Sequence, residues 1–388
     1  MVTSLGTWRT LNRSIDLGWV TDAKYTSLEI VNTKQTYHVG DILVLEVVAR
    51  DGYKRRKMYG GDYFRAVLRD KSQTASTTGT VRDHGNGLYT ISFLLSFPGC
   101  VFPALYRPFW NTPLLPVING TIIVSDVDEN TTVTQSLPFC RLGVPHQQPE
   151  GYWLQDTWHS LSCKVGQFRT PDITKCLTNR SVHFRGDSTI RQWVERLIKW
   201  NIVEKGPGNG LIGPYACSNH STGTIVTFNF HTVPIQTVSW FPLNLGEAGI
   251  STEVRSMVGG PNVVIILSLC SHFTAEPKRV YTSRMYDVRS AIQELHKKYP
   301  ETRVIVKTCN TRNHRHYREL VQMSDWLSVQ INQEMRSIME DLNITILDVW
   351  DMTVSQRYRH DIHPNQRVQD YQLDILMSHI CPDMVKKG

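Results

Sequence analysis

The stretch from Val182 to Trp193, VHFRGDSTIRQW, constrains the fold of this chain more than any other feature. A short apolar run typical of a strand leads directly into Gly-Asp-Ser, and an amphipathic helical pattern follows from Thr189 to Trp200. The predicted turn presents the hydroxyl of Ser188 where a strand ends and a helix begins. Backbone N–H groups at a helix start lack intrahelical partners, and the helix dipole is positive there. This turn therefore predicts a nucleophile beside donors that can stabilise developing negative charge.

Ser188 needs a base, because a free serine hydroxyl is a poor nucleophile at neutral pH. The late sequence Asp-Ile-His-Pro offers His363 as the general base and Asp361 as the carboxylate that orients its ring. His360 is the nearest rival base. A purely structural role for Ser188, as the N-cap of the helix, is the competing interpretation.

The third catalytic member is open at this stage. Asp348 or Asp351, after the last predicted strand, could supply the carboxylate in place of Asp361, and a Ser–His dyad is a further alternative. Asp187 is too close in sequence to Ser188 to act as the orienting acid. We expect Gly186 and Asp187 to support the turn instead.

The chain has 388 residues, a length that favours two domains. Residues 25–142 contain short alternating or apolar runs separated by turn dipeptides, a pattern typical of an antiparallel β-sandwich. Residues 143–180 are interpreted as a linker and collar, and residues 1–24 as an N-terminal extension. No run of roughly 18 apolar residues is present, so no membrane span is predicted.

From residue 181 to residue 388, predicted strands alternate with predicted helices. This alternation favours an α/β domain with a mostly parallel sheet covered on both faces. The predicted strands are Val182–Phe184, Thr224–Phe230, Val263–Ser268, Arg303–Lys307 and Thr345–Leu347, and the predicted helices are Thr189–Trp200, Thr282–Tyr299, Ser324–Asp341 and Asn365–His379. Ligands of such sheets bind beyond the carboxyl ends of the strands, where Ser188 is expected.

Cysteines and sequons favour an oxidising, secreted or Golgi/ER-lumenal setting, although the N-terminus has no apolar signal core. Eight cysteines are present, with Cys163–Cys176 the pairing we expect and Cys270 and Cys309 either joined or free. No zinc-ligand spacing occurs, so no metal site is predicted. Six N-x-S/T sequons are candidate glycosylation sites: Asn12, Asn119, Asn130, Asn179, Asn219 and Asn343.

The net charge of +7 is modest, and one basic run, Lys54 to Lys57, stands out. A polyanion such as nucleic acid or heparin could bind it. A solvated hairpin tip is the interpretation we favour, and no nucleic-acid partner is predicted.

The chain resembles the neurexophilin and PC-esterase domain family over nearly its whole length. The second domain is similar to the SGNH, or GDSL-type, esterase and acyltransferase superfamily. The segment from Tyr37 to Leu68 resembles the immunoglobulin-like domain of the same family. The blocks that carry the resemblance are FRGDSTIRQW, VVIILSLCSHF, VIVKTCNTR, ILDVWDMT and DIHPNQRV, in that order.

The resemblance implies an oxyanion hole, and here the sequence departs from the superfamily. The backbone N–H of Ser188 is the first expected donor. The superfamily usually adds a glycine and an asparagine, and neither is evident at the matching places. Ser271, His272 and Arg191 are the substitutes we consider. The usual Asp-x-x-His spacing is Asp-x-His in this chain.

The function that the resemblance implies is glycan O-acetyl transfer or O-acetyl ester hydrolysis through a Ser-His-Asp acyl-enzyme, with sialylated glycoproteins among the substrates. No tightly bound cofactor is expected, and acetyl-CoA or another acetyl carrier is the candidate donor. The alternative is a non-catalytic secreted protein with a degenerate esterase scaffold. In that case the β-sandwich would bind a cell-surface protein partner.

Overall fold

A computed structural model of the chain describes residues 16–106, 113–114, 122–126, 137–207, 212–235, 249–314, 317–358 and 361–385. Three predicted glycosylation sites, Asn12, Asn119 and Asn130, lie outside these residues, as does the rival base His360.

Two β-sheets make up the first part of the chain. The four-stranded sheet has the order β1-β3-β7-β6, and the larger sheet has the order β12-β11-β5-β4-β8-β10-β2, with β9 paired to β8. The strands are β1 (Ser27–Ile30), β2 (Tyr37–His38), β3 (Ile42–Val48), β4 (Arg65–Asp70), β5 (Ala75–Thr78), β6 (Thr80–Asp83), β7 (Leu88–Leu94), β8 (Gly99–Tyr106), β9 (Pro113–Leu114), β10 (Ile122–Ser125), β11 (Gly151–Leu154) and β12 (Thr157–Ser160).

Apolar side chains at alternate positions of the strands fill the space between these two sheets. Successive side chains of a strand point to opposite faces. Leu43, Leu45 and Val47 of β3 are fully buried, and Ile91 and Phe93 of the neighbouring β7 join the same apolar cluster. Their burial defines the first of three hydrophobic cores.

The predicted linker and collar, residues 143–180, contains two strands that were not predicted. β11 pairs with β5 and with β12, so this segment extends the larger sheet of the sandwich. The two strands meet at Gln155 and Asp156, which have φ values of 48° and 61°. A two-residue hairpin turn needs positive φ at both central residues, and Gln-Asp is not one of its usual dipeptides. The turn was therefore not recognisable from the sequence.

A seven-stranded sheet with the order β14-β15-β16-β13-β17-β18-β19 forms the second part. Pairing from β16 across to β19 is parallel, whereas β14 and β15 are antiparallel to their neighbours. The strands are β13 (Ser181–Gly186), β14 (Glu204–Lys205), β15 (Tyr215–Asn219), β16 (Thr224–Phe230), β17 (Val263–Ser268), β18 (Arg303–Lys307) and β19 (Thr345–Leu347).

Helices pack on both faces of this sheet. They are α1 (Thr170–Leu177), α2 (Ser188–Lys199), α3 (Ile250–Ser256), α4 (Lys278–Lys298), α5 (Tyr317–Gln322), α6 (Asp325–Met339), α7 (Trp350–Ser355) and α8 (Gln366–Ile380). Ile266 of β17 belongs to the core that includes Trp193, and the adjacent Ile265 belongs to the core beneath α4. The second part is thus a mixed α/β layer structure, and the chain combines it with the all-β first part.

The short helix α7 joins the two parts. Its last carbonyl groups have no helical partner, as at any helix end. The sandwich supplies donors for them: Arg65 donates to Val354 O at 2.6 Å, Ser76 donates to Ser355 O at 2.7 Å, and Trp153 donates to Met352 O at 3.0 Å.

Three disulfides are formed, and they correct the expected pairing. Cys163 is joined to Cys140, and Cys176 is joined to Cys381, so the predicted Cys163–Cys176 bond is wrong. That prediction used only nearness in sequence, whereas Cys176 lies on α1 against the C-terminal helix. The third bond joins Cys270 and Cys309, which is one of the two alternatives considered.

Two further features of the described residues concern the basic run and the search for a membrane span. Lys54, Arg55 and Arg56 are exposed at the tip of a hairpin that is closed by a bridge between Arg50 and Arg56. Among the described residues, no helix combines the length and the apolar character that a membrane span requires.

Candidate active site

Ser188 is the first residue of α2, directly beyond the carboxyl end of β13. The turn is tight because the backbone of Gly186 packs closely against β17. A Cβ atom at Gly186 would lie 2.2 Å from the carbonyl oxygen of Ser268 and 2.9 Å from Ile190 Cδ1. Only glycine fits this position, so the predicted supporting role of Gly186 has a steric reason.

Asp187 caps the helix in place of Ser188. Its fully buried carboxylate accepts the N–H and the hydroxyl of Thr189 at 2.9 and 2.6 Å, and the hydroxyl and N–H of Ser271 at 2.8 and 3.2 Å. Burial alone would raise the pKa of Asp187, but the neighbouring His272 ring, the Lys307 ammonium group and the hydrogen bonds outweigh it and lower the pKa to about 2. With the cap supplied by Asp187, the hydroxyl of Ser188 is left for another partner.

That partner is His363. The distance from Ser188 Oγ to His363 Nε2 is 2.7 Å, although the two residues are 175 positions apart in the chain. Partial burial lowers the pKa of His363, and the nearby carboxylates of Asp361 and Asp187 oppose this shift only in part. A neutral imidazole can accept the hydroxyl proton, which a general base must do.

Asp361 contacts His363 mainly through the backbone. Its Oδ1 accepts the backbone N–H of His363 at 2.7 Å and lies 3.5 Å from the ring nitrogen Nδ1. The two alternative carboxylates make their contacts elsewhere: Asp348 accepts from Thr308 and Asp351 accepts the backbone N–H of Glu150. Asp361 is therefore the carboxylate closest to the role of orienting acid.

The four predicted oxyanion donors differ in their surroundings and in the partners that they already have. The backbone N–H of Ser188 lies at the helix start, where the first N–H groups have no helical acceptor. Ser271 donates both its N–H and its hydroxyl to Asp187, so both of its predicted oxyanion donors already have an acceptor. Arg191 pairs with Glu195 at 2.9 Å. His272 is buried, with its ring 5.2 Å from that of a second histidine, His231.

His231 is a site residue that the sequence analysis missed. It follows β16, is fully buried, and its ring stacks on that of Phe230 with centroids 4.3 Å apart. Within the described ranges, neither ring nitrogen has a hydrogen-bond partner. Burial lowers the pKa of His231 to about 3 and also lowers the pKa of His272. Both rings are consequently neutral beside the Ser188 turn.

Lys307 and Asn310 were also missed. Lys307 ends the apolar strand β18, and its buried ammonium group donates to Asn310 Oδ1 at 3.1 Å. Burial lowers the pKa of Lys307 to about 8, against the opposing charges of Asp187 and Asp348. The signal in the sequence was a lysine in an otherwise apolar strand, RVIVK, that ends beside the predicted site.

The disulfide between Cys270 and Cys309 spans the ends of β17 and β18 next to these residues. Since both sulfurs are in the bond, neither is a thiolate nucleophile. Ser188 therefore stays the candidate nucleophile of this cluster.

Two groups of residues elsewhere in the described chain have ligand atoms close enough together to bind a metal ion. One consists of Cys140, Cys163 and His379, and its two cysteines are already joined in a disulfide. The other consists of His146, Glu150 and Asp348, where the guanidinium of Arg336 already contacts Asp348. Neither group includes Ser188 or His363.

Comparison with known proteins gives one family match. Residues 158–381 match the family model described as NXPE family member 4-like, C-terminal domain. This range includes the strand-turn-helix unit of Ser188 and the loop of His363.

Solved structures with partial similarity include two carbohydrate esterases. A carbohydrate acetylesterase from Sinorhizobium meliloti has 14% identity and a TM-score of 0.31, with 51% of this chain and 96% of that chain covered. A carbohydrate esterase family 2 enzyme with a carbohydrate binding domain, from Corynascus thermopiles, has 11% identity and a TM-score of 0.32, with 92% and 99% covered. The Lin-41 filamin domain has 18% identity and a TM-score of 0.22, with 27% and 96% covered.

Proposed function

Because this chain belongs to the NXPE family, we propose that it is an esterase-type enzyme that transfers or hydrolyses acyl groups on carbohydrate through a Ser188 acyl-enzyme. The single observation that carries the proposal is the 2.7 Å contact between Ser188 Oγ and His363 Nε2. The contact joins residues that are 175 positions apart in the chain. An imidazole with a lowered pKa beside a hydroxyl at a helix start supports the proposal.

The first half-reaction forms the acyl-enzyme. Ser188 Oγ attacks the carbonyl carbon of an ester while its proton passes to His363 Nε2. The carbonyl oxygen becomes an oxyanion, which the backbone N–H of Ser188 and the positive end of the α2 dipole stabilise. The C–O bond of an ester, or the C–S bond of a thioester such as acetyl-CoA, then breaks, and His363 returns the proton to the departing alkoxide or thiolate. The products are acyl-Ser188 and a free alcohol or thiol.

The second half-reaction regenerates the enzyme. A sugar hydroxyl or water loses its proton to His363 as its oxygen attacks the acyl carbon. The Ser188 ester bond breaks, and the proton returns to Ser188 Oγ. Water as acceptor gives hydrolysis, and a sugar hydroxyl gives acyl transfer. This chemistry is complete without a metal or a tightly bound cofactor, and acetyl-CoA or another acetyl carrier is the donor class that we propose.

Neutral His272 is the second oxyanion donor that we propose. A buried imidazole with a lowered pKa can donate a hydrogen bond without carrying charge, and the ring of His272 lies 5.2 Å from that of His231, beside the charge of Asp187. Asp361 is proposed to orient His363 by accepting the backbone N–H of His363 and, at longer range, by the attraction of its carboxylate for Nδ1 of the His363 ring. Glycans, among them sialylated glycoproteins, are the substrate class that we propose.

For the rest of the chain we propose an immunoglobulin-like sandwich that binds a cell-surface protein, and a secreted or Golgi/ER-lumenal location. Three disulfides support an oxidising compartment. Asn179 and Asn343 are exposed and are proposed to carry glycans. Asn219 is partly buried, and its Nδ2 donates to Ile202 O at 2.9 Å, so it is the weakest of the three described sequons.

The test is covalent labelling of the purified full chain by a fluorophosphonate probe. We expect Ser188→Ala to abolish labelling, because the probe bonds to an activated serine. His363→Ala should slow labelling by roughly 10³-fold, since the base is lost. Ser324→Ala is the matched control: Ser324 also lies at a helix start, where it caps α6, and labelling should persist.

Folded wild-type protein that resists the probe would refute the enzymatic proposal and favour a non-catalytic binding protein. If labelling depends on Ser188, hydrolysis of O-acetylated glycans and acetyl transfer from acetyl-CoA, each measured by mass spectrometry, distinguish the two reaction directions.

A further inference from the structure

Two buried side-chain amides hold the backbone on either side of His363. Asn310 Nδ2 donates to the carbonyl oxygen of Ile362 at 3.2 Å, and Gln369 Nε2 donates to the carbonyl oxygen of Pro364 at 2.6 Å. Ile362 and Pro364 are the immediate neighbours of His363. The peptides that flank the proposed base are therefore both fixed to the protein interior.

The side chain of Asn310 is itself fixed by two donors. Its Oδ1 accepts from Lys307 Nζ at 3.1 Å and from Gln372 Nε2 at 3.3 Å. Because two donors meet this atom, it must be the amide oxygen, and the NH₂ group must face Ile362. Asn310, Lys307 and Gln372 are each at most 2% exposed, so water does not compete for these bonds.

The same network reaches the nucleophile side of the site. Lys307 Nζ lies 3.4 Å from Thr189 Oγ1, and Thr189 donates to Asp187 at 2.6 Å. Gln372 accepts from the indole N–H of Trp193 on α2 at 3.0 Å. One buried set of hydrogen bonds thus connects the turn of Ser188 with the loop of His363.

We propose that Asn310 is a positioning residue that, together with Gln369, clamps the His363 loop so that Nε2 stays within hydrogen-bond reach of Ser188 Oγ. Lys307 and Gln372 hold Asn310 in the orientation that the clamp needs. This inference rests on the proposed function, because a clamp on a general base has meaning only if the base acts. Loop histidines need such support, since a misplacement of about 1 Å can cost roughly 100-fold in rate.

The discriminating variant is Asn310→Asp. Aspartate has the same shape and keeps an oxygen for Lys307, but it cannot donate to Ile362 O. In the full glycosylated chain, we expect the second-order rate of fluorophosphonate labelling to fall by about 10- to 100-fold. Gln369→Met, which removes the donor to Pro364 O with little change of shape, is the second variant and should act in the same direction.

A double-mutant cycle separates positioning from general loss of stability. If Asn310 acts through His363, then Asn310→Asp should slow labelling no further in a His363→Ala background. Ser378→Ala is the matched control. Ser378 is a buried residue of α8 whose hydroxyl accepts from Gly166 N–H at 2.9 Å, and its loss should lower the melting temperature while labelling stays at the wild-type rate.

Two results would overturn the inference alone: wild-type labelling of folded Asn310→Asp and Gln369→Met proteins, or a loss that adds in full to that of His363→Ala. If the wild-type chain itself is not labelled, the proposed function is refuted, and the proposed role of Asn310 is refuted with it. Labelling of the wild-type protein therefore distinguishes failure of the proposed function from failure of the positioning role alone.

Discussion

Two histidines in the described part of this protein lie beside carboxylates beyond the carboxyl ends of strands in the seven-stranded sheet, and one of the two faces a hydroxyl. His363 has Ser188 Oγ at one ring nitrogen and Asp361 at the other. His146 has carboxylates at both: Nδ1 contacts Glu150, and Nε2 lies 3.2 Å from Asp348. A histidine between two acceptors has no nucleophile to activate. The difference shows that a histidine–carboxylate pair becomes a candidate base only through the group that its second ring nitrogen contacts.

The carboxylates around His146 also make structural contacts with other residues. Asp348 also contacts Arg336 and accepts the hydroxyl of Thr308, and the nearby Asp351 accepts the backbone N–H of Glu150. These contacts tie the connector before β11 to the start of α7, where the sandwich meets the α/β part. The His146 cluster is therefore structural, whereas the Ser188 cluster leaves one hydroxyl available for chemistry.

The largest effect we expect in this comparison is on stability, from His146→Gln. Loss of the contacts to two carboxylates in a part-buried cluster should reduce the free energy of unfolding by about 1–3 kcal/mol. The labelling rate of Ser188 should stay within about twofold of wild type, because the contacts of His146 go to Glu150 and Asp348, whereas the Ser188 hydroxyl is held by His363. Urea denaturation and probe labelling of the same preparation measure both quantities. A large drop in labelling with unchanged stability would instead place His146 in the catalytic machinery.

A smaller effect is expected from Asp361→Asn. Asparagine can still accept the backbone N–H of His363, so the variant removes only the charge 3.5 Å from Nδ1. A tight triad loses about 10⁴-fold in such a variant, and at this longer distance we expect about a tenfold slower labelling rate. Asp361→Ala, which also removes the acceptor for the backbone N–H, should be slower still. A 10⁴-fold loss in Asp361→Asn would show that the carboxylate closes onto Nδ1 in the working state, and an unchanged rate would show a Ser–His dyad.

The sequence predicted four strands of the seven-stranded sheet well because alternating and apolar runs are local patterns. The predicted ranges Thr224–Phe230, Val263–Ser268, Arg303–Lys307 and Thr345–Leu347 are the observed strands. Four helices were not predicted: α1, α3, α5 and α7 have only six to eight residues, too few for a helical repeat to stand out. The contact between Ser188 and His363 agrees with the predicted pair.

The rest of the site could not be predicted because it depends on tertiary contacts. No local pattern shows that Lys307 turns inward to Asn310, or that Asn310 reaches the carbonyl of Ile362. Asp187 was expected only to support the turn, and the four hydrogen bonds that it accepts come partly from Ser271, on a different strand end. The same bonds engage both donors of Ser271, which its sequence position places beside the turn.

The smallest and most specific effect that we expect is on the pH dependence of the Ser188 labelling rate. His363 must be neutral to accept a proton, and partial burial places its pKa below the ordinary value of 6.5. The labelling rate should therefore rise with pH to a plateau, with its midpoint below pH 6.5, and this rise should be absent in His363→Ala and retained in His146→Gln. A midpoint above pH 6.5 would mean that the charge of Asp361 outweighs burial in the folded protein.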